Sequence, residues 1–298
     1  MTPYATAAAF KQALENRLRA ASSTGVDFAR KRQLLVFDRF LARLVQVLGD
    51  SAMLKGGLVV ELRVERARTT KDIDLRLVGL PTGVVERLGR AARLDLGDFM
   101  VFIVAPDAEH PDITNEGMVY EGQRYRVRCE LAGKPYGQPF GLDIAFADPI
   151  LGEPDLIVAE DVLGFAGIAP PTLRLYPLET HIAEKLHAYT LPRKRPNSRV
   201  KDLPDIALLA GVRELEATRV RSALEQTYTF RKTHALPVSL PAPPVAWAAP
   251  YARMVDEDEL RWADLATLVG AVEAFLNPVL EGTATGMWRP STWGWRSS

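Results

Sequence analysis

Asp72 and Asp74 lie two residues apart in a segment, Asp72–Val78, that alternates polar and apolar side chains. The alternation predicts a strand, and residues two apart on a strand share a face. Two carboxylates side by side repel, so the pair is costly unless a cation lies between them. Magnesium takes hard oxygen ligands, typically one or two carboxylates plus substrate phosphates, and is the ion this pair suggests. A third acid, Asp143, sits in Phe140-Gly141-Leu142-Asp143-Ile144-Ala145-Phe146, whose apolar flanks predict a central strand. An unpaired charge is expensive there, so Asp143 is expected to join Asp72 and Asp74 if the strands are neighbours. Three such carboxylates can hold two metals that steady the attacking and leaving oxygens of a phosphoryl transfer. Taken singly, Asp-x-Asp is also a common solvated strand edge, and Asp143 could be a salt-bridged core acid.

Other residues could serve the same chemistry. Gly56 and Gly57 let backbone come close to a triphosphate, and a helix starting there would favour phosphate at its N-terminus. Lys55 either flanks those phosphates or is a surface lysine. Asp202 and Asp205 are three apart in a helical pattern, so both could face a cleft, although Asp202 also suits an N-cap. His181 and His187 are six apart, which does not put them on one helix face as metal ligands, and both are read as non-catalytic.

The elements that must position these residues follow from periodicity. Two helices fill the first fifty residues, the second over Asp27–Leu48. Within Met53–Arg63 a short helix is expected to start at or just after the glycines. Strands are predicted at Asp72–Val78, Phe99–Ala105, Tyr125–Leu131 and Phe140–Phe146, with shorter ones near Leu156–Ala159 and Leu173–Leu175. Pro81–Arg90 reads as a helix opened by its proline. After Pro177 the pattern turns helical, over Leu178–Leu191, Asp202–Ala210, Glu214–Thr227 and Leu260–Leu276. Leu236–Pro250, rich in Pro and Ala, reads as an extended connection. The expected organisation is α+β, with a mixed half over residues 1–176 and a mainly helical half over 177–298.

Composition sets the outer bounds. The 298 residues, 47% hydrophobic and 25% charged, can bury a sizeable core without disulfides or structural metals. One cysteine, Cys129, rules out an intrachain disulfide and a cysteine-based zinc cluster, and it fits a reducing, cytoplasmic compartment. No stretch reaches the roughly 18 apolar residues of a membrane helix, and the N-terminus reads as an amphipathic helix, not a signal peptide. Net charge is zero, but Lys185–Asp202 holds six basic residues and one acid, while Met254–Arg261 is acidic. Such a basic stretch is either a phosphate-attracting patch or a solvated loop. Three of the five tryptophans crowd into Met287–Trp295, where packing on the helical half is favoured over stacking on single-stranded RNA.

Lys55-Gly56-Gly57, Thr70-Lys71-Asp72-Ile73-Asp74, Leu142-Asp143-Ile144, Glu184-Lys185-Leu186 and Lys201-Asp202-Leu203-Pro204-Asp205 occur in that order. The set resembles the AbiEii/MenT-type nucleotidyltransferase toxins, a branch of the DNA polymerase β-like nucleotidyltransferase superfamily, over roughly residues 30–210. Many members of that superfamily have Gly-Ser in the turn, and here the serine hydroxyl is missing from Gly56-Gly57, leaving backbone N–H groups to meet phosphate. The resemblance implies a nucleotidyltransferase core, a mixed sheet flanked by helices, followed by a mainly helical C-terminal domain. It implies Asp72, Asp74 and Asp143 as ligands of Mg2+, with Asp143 also able to take a proton from the attacking hydroxyl. Lys185 resembles the family's triphosphate-contacting lysine, the alternative being a helix-surface ion pair. Asp202 is implied in the catalytic set, and Asp205, with Lys55, Gly56, Gly57 and Lys185, in nucleotide binding. An NTP is then the substrate, the 3′ end of tRNA the expected acceptor, and a cognate antitoxin protein a possible partner in a phage-defence (abortive-infection) system. Arg30, Lys31, Arg32 and the stretch Arg193–Lys201 are candidates for the RNA backbone. A protein hydroxyl or small molecule as acceptor, or a non-catalytic nucleotide-binding module, are the competing readings.

Overall fold

The computed structural model of the chain describes residues 3–64, 70–79, 82–112, 122–146, 149–193 and 199–297. Helices α1 (Ala7–Ala20) and α2 (Gly25–Leu48) come first, each capped by a threonine hydroxyl that accepts a first-turn N–H: Thr6 from Ala9 at 3.2 Å and Thr24 from Asp27 at 3.1 Å. There follow β1 (Ala52–Lys55), α3 (Gly56–Arg63), β2 (Ile73–Leu77), α4 (Val84–Ala92), β3 (Met100–Pro106), β4 (Gly122–Leu131), β5 (Lys134–Pro135), β6 (Phe140–Ala145), β7 (Asp155–Val158) and β8 (Thr172–Leu175).

These strands form one mixed sheet in the order β3-β4-β6-β2-β1-β8-β7, with β5 attached to β4. The β2–β6 and β1–β8 pairs are parallel and the other pairs antiparallel. One face is apolar. Leu54, Ile73, Leu75, Leu142 and Ile144 are buried there in a core shared with α1 and α2, where Phe37 and Phe40 meet Phe140 edge-on. Lys55, Asp74, Arg124 and Asp143 alternate with these residues and therefore lie on the opposite face. The fold is thus α+β, a mixed sheet flanked by helices.

The rest of the chain is mainly helical: α5 (Leu178–Thr190), α6 (Asp202–Ala210), α7 (Ala217–Arg231), α8 (Ala248–Asp258) and α9 (Leu265–Leu280), with short strands β9 (Leu215–Glu216), β10 (Met287–Arg289) and β11 (Gly294–Arg296). A second apolar cluster holds these helices together through Leu186, Leu203, Ile206, Leu224, Phe275 and Trp288. Val60 of α3 is part of that second cluster while Leu58 and Val59 join the first, so α3 bridges the two.

The structure departs from the sequence expectations in several places. Strand β1 precedes the glycine helix and was not foreseen, because four residues are too few to show a period. Strand β4 begins at Gly122, three residues before the expected Tyr125, which brings Arg124 into the ladder. Leu236–Pro250 is not wholly extended: a 3-10 turn spans Val245–Trp247 and α8 begins at Ala248. Pro81 lies outside the described residues, and α4 starts at Val84 behind Gly83. The tryptophans of the C-terminal stretch pack. The indole N–H groups of Trp288, Trp293 and Trp295 donate to the carbonyls of Ala210, Ala271 and Phe275 at 2.8, 2.9 and 2.9 Å.

Candidate active site

Lys55 ends β1 and Gly56 begins α3, so the glycine pair forms a strand-to-helix turn. The register places Lys55 opposite Asp74 on β2, Asp74 opposite Asp143 on β6, and Asp143 opposite Arg124 on β4. Four charged side chains thus form a row across four adjacent strands on one face. Two glycines make room for the acids. Gly56 has φ +72°, and a Cβ on it would fall 1.9 Å from Asp74 Oδ2. A Cβ on Gly141 would fall 2.7 Å from Asp72 Oδ1, and the Gly141 N–H donates to that same oxygen at 2.8 Å. Any side chain at either position would displace a carboxylate.

The acids differ in how they are held. Arg124 donates to both oxygens of Asp143, from Nε and Nη2, each at 2.7 Å, the bidentate geometry that guanidinium favours. Asp72 leans on the Gly141 backbone. The half-buried Asp74 side chain has no hydrogen bond or ion pair among the described residues. Burial first, and then the negative charge of Asp143, raise its carboxyl to about 6, against the opposing pull of Lys185 and Lys55. With Asp72 and Asp143 drawn to these partners, no described group of three acidic, histidine or cysteine side chains is gathered tightly enough to hold a metal ion. The acids share a region and, for Asp74 and Asp143, a register position, but they do not converge on one point.

The helical half supplies the opposite wall. Buried Lys185 on α5 bonds Asp205 Oδ2 at 2.7 Å and lies 3.6 Å from Asp202 Oδ1. Asp202 is the first residue of α6 and not its N-cap; Arg199 holds both its oxygens, at 2.6 and 3.1 Å. Glu184, one residue before Lys185, accepts from Lys55 Nζ at 2.8 Å, from the Tyr176 hydroxyl at 2.9 Å and from Arg231 Nη2 at 3.2 Å. Lys55 is therefore a buried, tethered lysine and not a surface one. Glu184 lies in the Glu184-Lys185-Leu186 segment, but its tie to Lys55 spans 129 residues of sequence and is not legible locally. Arg124 was missed as well. Its signal was the alternation Arg124, Arg126, Arg128, which lay across the expected start of the strand.

His181 and His187 are both buried on α5. His181 is buried with both ring nitrogens unbonded among the described residues, and burial, helped by Lys185 and Arg63, pushes its pKa well below the usual value. His187 bonds Thr233 Oγ1 at 2.8 Å, beside Tyr228 and His234. The basic residues of α2 are tied within the chain: Arg30 to Glu61 at 2.9 Å, Lys31 to Asp27 at 3.2 Å and Arg32 to Glu15 at 3.2 Å. Their side chains remain about a third exposed, at 28%, 34% and 31%. Lys194 and Arg195 of the basic stretch lie outside the described residues. No helix among the described residues is long and apolar enough to cross a membrane.

The family described as "Nucleotidyl transferase AbiEii toxin, Type IV TA system" matches residues 39–274. No curated protein matches the chain. Among solved structures, the MenT4 nucleotidyltransferase toxin of Mycobacterium tuberculosis is 16% identical with a TM-score of 0.55, covering 94% of this chain and 92% of its own. JHP933 of Helicobacter pylori is 17% identical with a TM-score of 0.46, covering 84% of this chain and 94% of its own. The MenT4 likeness establishes the fold, and the family match spans well over half of the sequence: the chain belongs to the AbiEii nucleotidyltransferase toxin family of type IV toxin–antitoxin systems.

Proposed function

We propose that this protein transfers a nucleotidyl group from an NTP to the 3′ hydroxyl of a tRNA, acting as a toxin countered by a cognate antitoxin. The observation that carries the reading is Asp74: a half-buried carboxylate left without a partner, in register with Asp143 and facing a glycine turn flanked by lysine. A fold that keeps such a charge is poised for a ligand that neutralises it. The donor chemistry, carboxylate oxygens in adjacent register, suits a hard divalent cation, and binding it would need Asp143 and Asp72 to turn from Arg124 and the Gly141 N–H. Asp74 and Asp143, with Asp72 beside them, would hold Mg2+. When bound, that ion supplies positive charge to the triphosphate and to the departing pyrophosphate.

The chain's own groups do the rest. The N-terminus of α3 at Gly56-Gly57 offers backbone N–H groups to phosphate. Lys55 and Lys185, held by Glu184 and Asp205, stand as fixed cations for the triphosphate. Asp202, bonded by Arg199, holds the Lys185 side from α6. The acceptor oxygen attacks the α-phosphorus, the bond to the β-phosphate oxygen breaks, and pyrophosphate leaves with that electron pair. The acceptor proton passes to a carboxylate oxygen of Asp143. In this reading residues 1–176 form the nucleotidyltransferase unit, and 177–298 the helical unit that completes its site.

The test is to incubate the protein with magnesium, each of the four labelled NTPs in turn, and total tRNA. Label is expected in RNA, with pyrophosphate released. Asp74→Asn is expected to lower transfer by at least ~10²-fold. Label entering protein, or no label with the unaltered chain, would refute the tRNA reading.

A further inference from the structure

Strand β4 carries Arg124, Arg126 and Arg128 at every second position. Residues so spaced share one face and stand about 7 Å apart. Their neighbours Tyr125, Val127 and Cys129 are buried in the core, so the strand is anchored from behind. Arg124 bonds Asp143, and the register carries the row outward from there: Arg126 lies opposite Gly141 of β6 and Ala105 of β3, and Arg128 opposite Ile103. The Arg126 side chain is 61% exposed and shares Asp107 at 3.1 Å, a carboxylate that also accepts the N–H groups of Glu109 and His110. Arg128 is exposed and makes no ion pair among the described residues. Beside them, on the same open face, Val101 and Ile103 are 56% and 37% exposed.

An exposed row of guanidiniums bordered by aliphatic side chains, starting at the carboxylate assigned to receive the acceptor proton, suits one class of partner. We propose that Arg126 and Arg128 form the track for the sugar-phosphate backbone of a single-stranded nucleic-acid acceptor whose 3′ hydroxyl reaches Asp143. Planar guanidiniums grip phosphates in a fork, and Val101 and Ile103 offer apolar contact to sugars and base faces. Such contacts position a strand without reading its bases. The inference rests on the nucleotidyl-transfer reading and places an acceptor surface at the β3–β4 edge of the sheet.

The experiment measures binding of an end-labelled single-stranded RNA oligonucleotide as salt is varied, for the unaltered protein, Arg126→Gln/Arg128→Gln and Arg126→Lys/Arg128→Lys. Each phosphate contact contributes a slope of about −0.7 in log K against log salt, so the Gln pair is expected to flatten the slope by about 1.4. Affinity should fall alike for different sequences, the Lys pair should recover most of the slope, and the KM for NTP should stay unchanged. If the unaltered protein labels RNA and the Gln pair matches it in slope and transfer, the track is refuted and the functional reading stands. If the unaltered protein neither binds nor labels RNA, or labels protein instead, both fail together.

Discussion

Asp98 and Asp74 are two sheltered carboxylates with opposite surroundings. Asp98, just before β3, accepts from Arg39 Nε at 2.8 Å, from Arg43 Nη1 and Nη2 at 2.9 and 2.6 Å, and from the Met100 N–H at 3.0 Å. Burial alone would raise its pKa, but the bonds and charge of the two arginines outweigh that and hold it below the usual carboxylate value. Asp74, half-buried and without such a hydrogen-bonding partner among the described residues, is raised to about 6 by burial first and the charge of Asp143 next. One acid is part of the scaffold, pinning α2 to the sheet. The other lies in the field of Asp143, which Lys185 and Lys55 only partly offset. Buried charge is tolerated where its partners are present; where they are few the carboxyl is raised, as at Asp74 and also at Asp38 of α2, which burial pushes to about 7.

The contrast can be broken most severely at Asp98. Asp98→Ala leaves two buried guanidiniums without their counter-charge and should cost about 3–5 kcal/mol, read as a lower urea midpoint. Asp74→Asn should act in the other direction. A folded-state pKa of about 6 against 3.8 for the free side chain means that ionised Asp74 opposes folding. The penalty is absent below pH 4, grows as pH rises to about 6 and is complete above it. Removing the charge should therefore stabilise the metal-free protein by up to ~3 kcal/mol at pH 8 and by nothing at pH 4. Denaturation of both proteins at the two pH values checks this, and equal stability at pH 8 would erase the distinction from Asp98. Below about pH 6 that proton should compete with a cation at Asp74, so the magnesium needed for half-maximal transfer is expected to rise as pH falls. The smallest effect is expected on α2. Arg32→Gln loses a partly exposed pair with Glu15 and the place of its guanidinium over the Phe28 ring, 4.4 Å from the centroid, so stability should fall by about 1–2 kcal/mol in urea denaturation.

The acids themselves were legible because their chemistry is local. Asp72-Ile73-Asp74 on an alternating strand, Asp143 between apolar neighbours and a glycine pair before a helical run follow from side-chain periodicity and the cost of unpaired charge. The helix carrying Lys185 was equally readable. Arg39 and Arg43 were not separable from Arg30 and Arg32, since all four lie on one basic helix. Only the position of Asp98 across the core makes two of them structural.

The sequence by itself determined which groups carry charge and on which kind of element each one sits, because helix and strand periods are written in consecutive residues. Tertiary structure alone decided their pairing. Sheet order set Asp74 beside Asp143 and Arg124 beside Asp143, and chain return brought Glu184 to Lys55. Whether a carboxylate is neutralised or left exposed to the field of its neighbours depends on distances through space, and residues far apart along the chain set those distances.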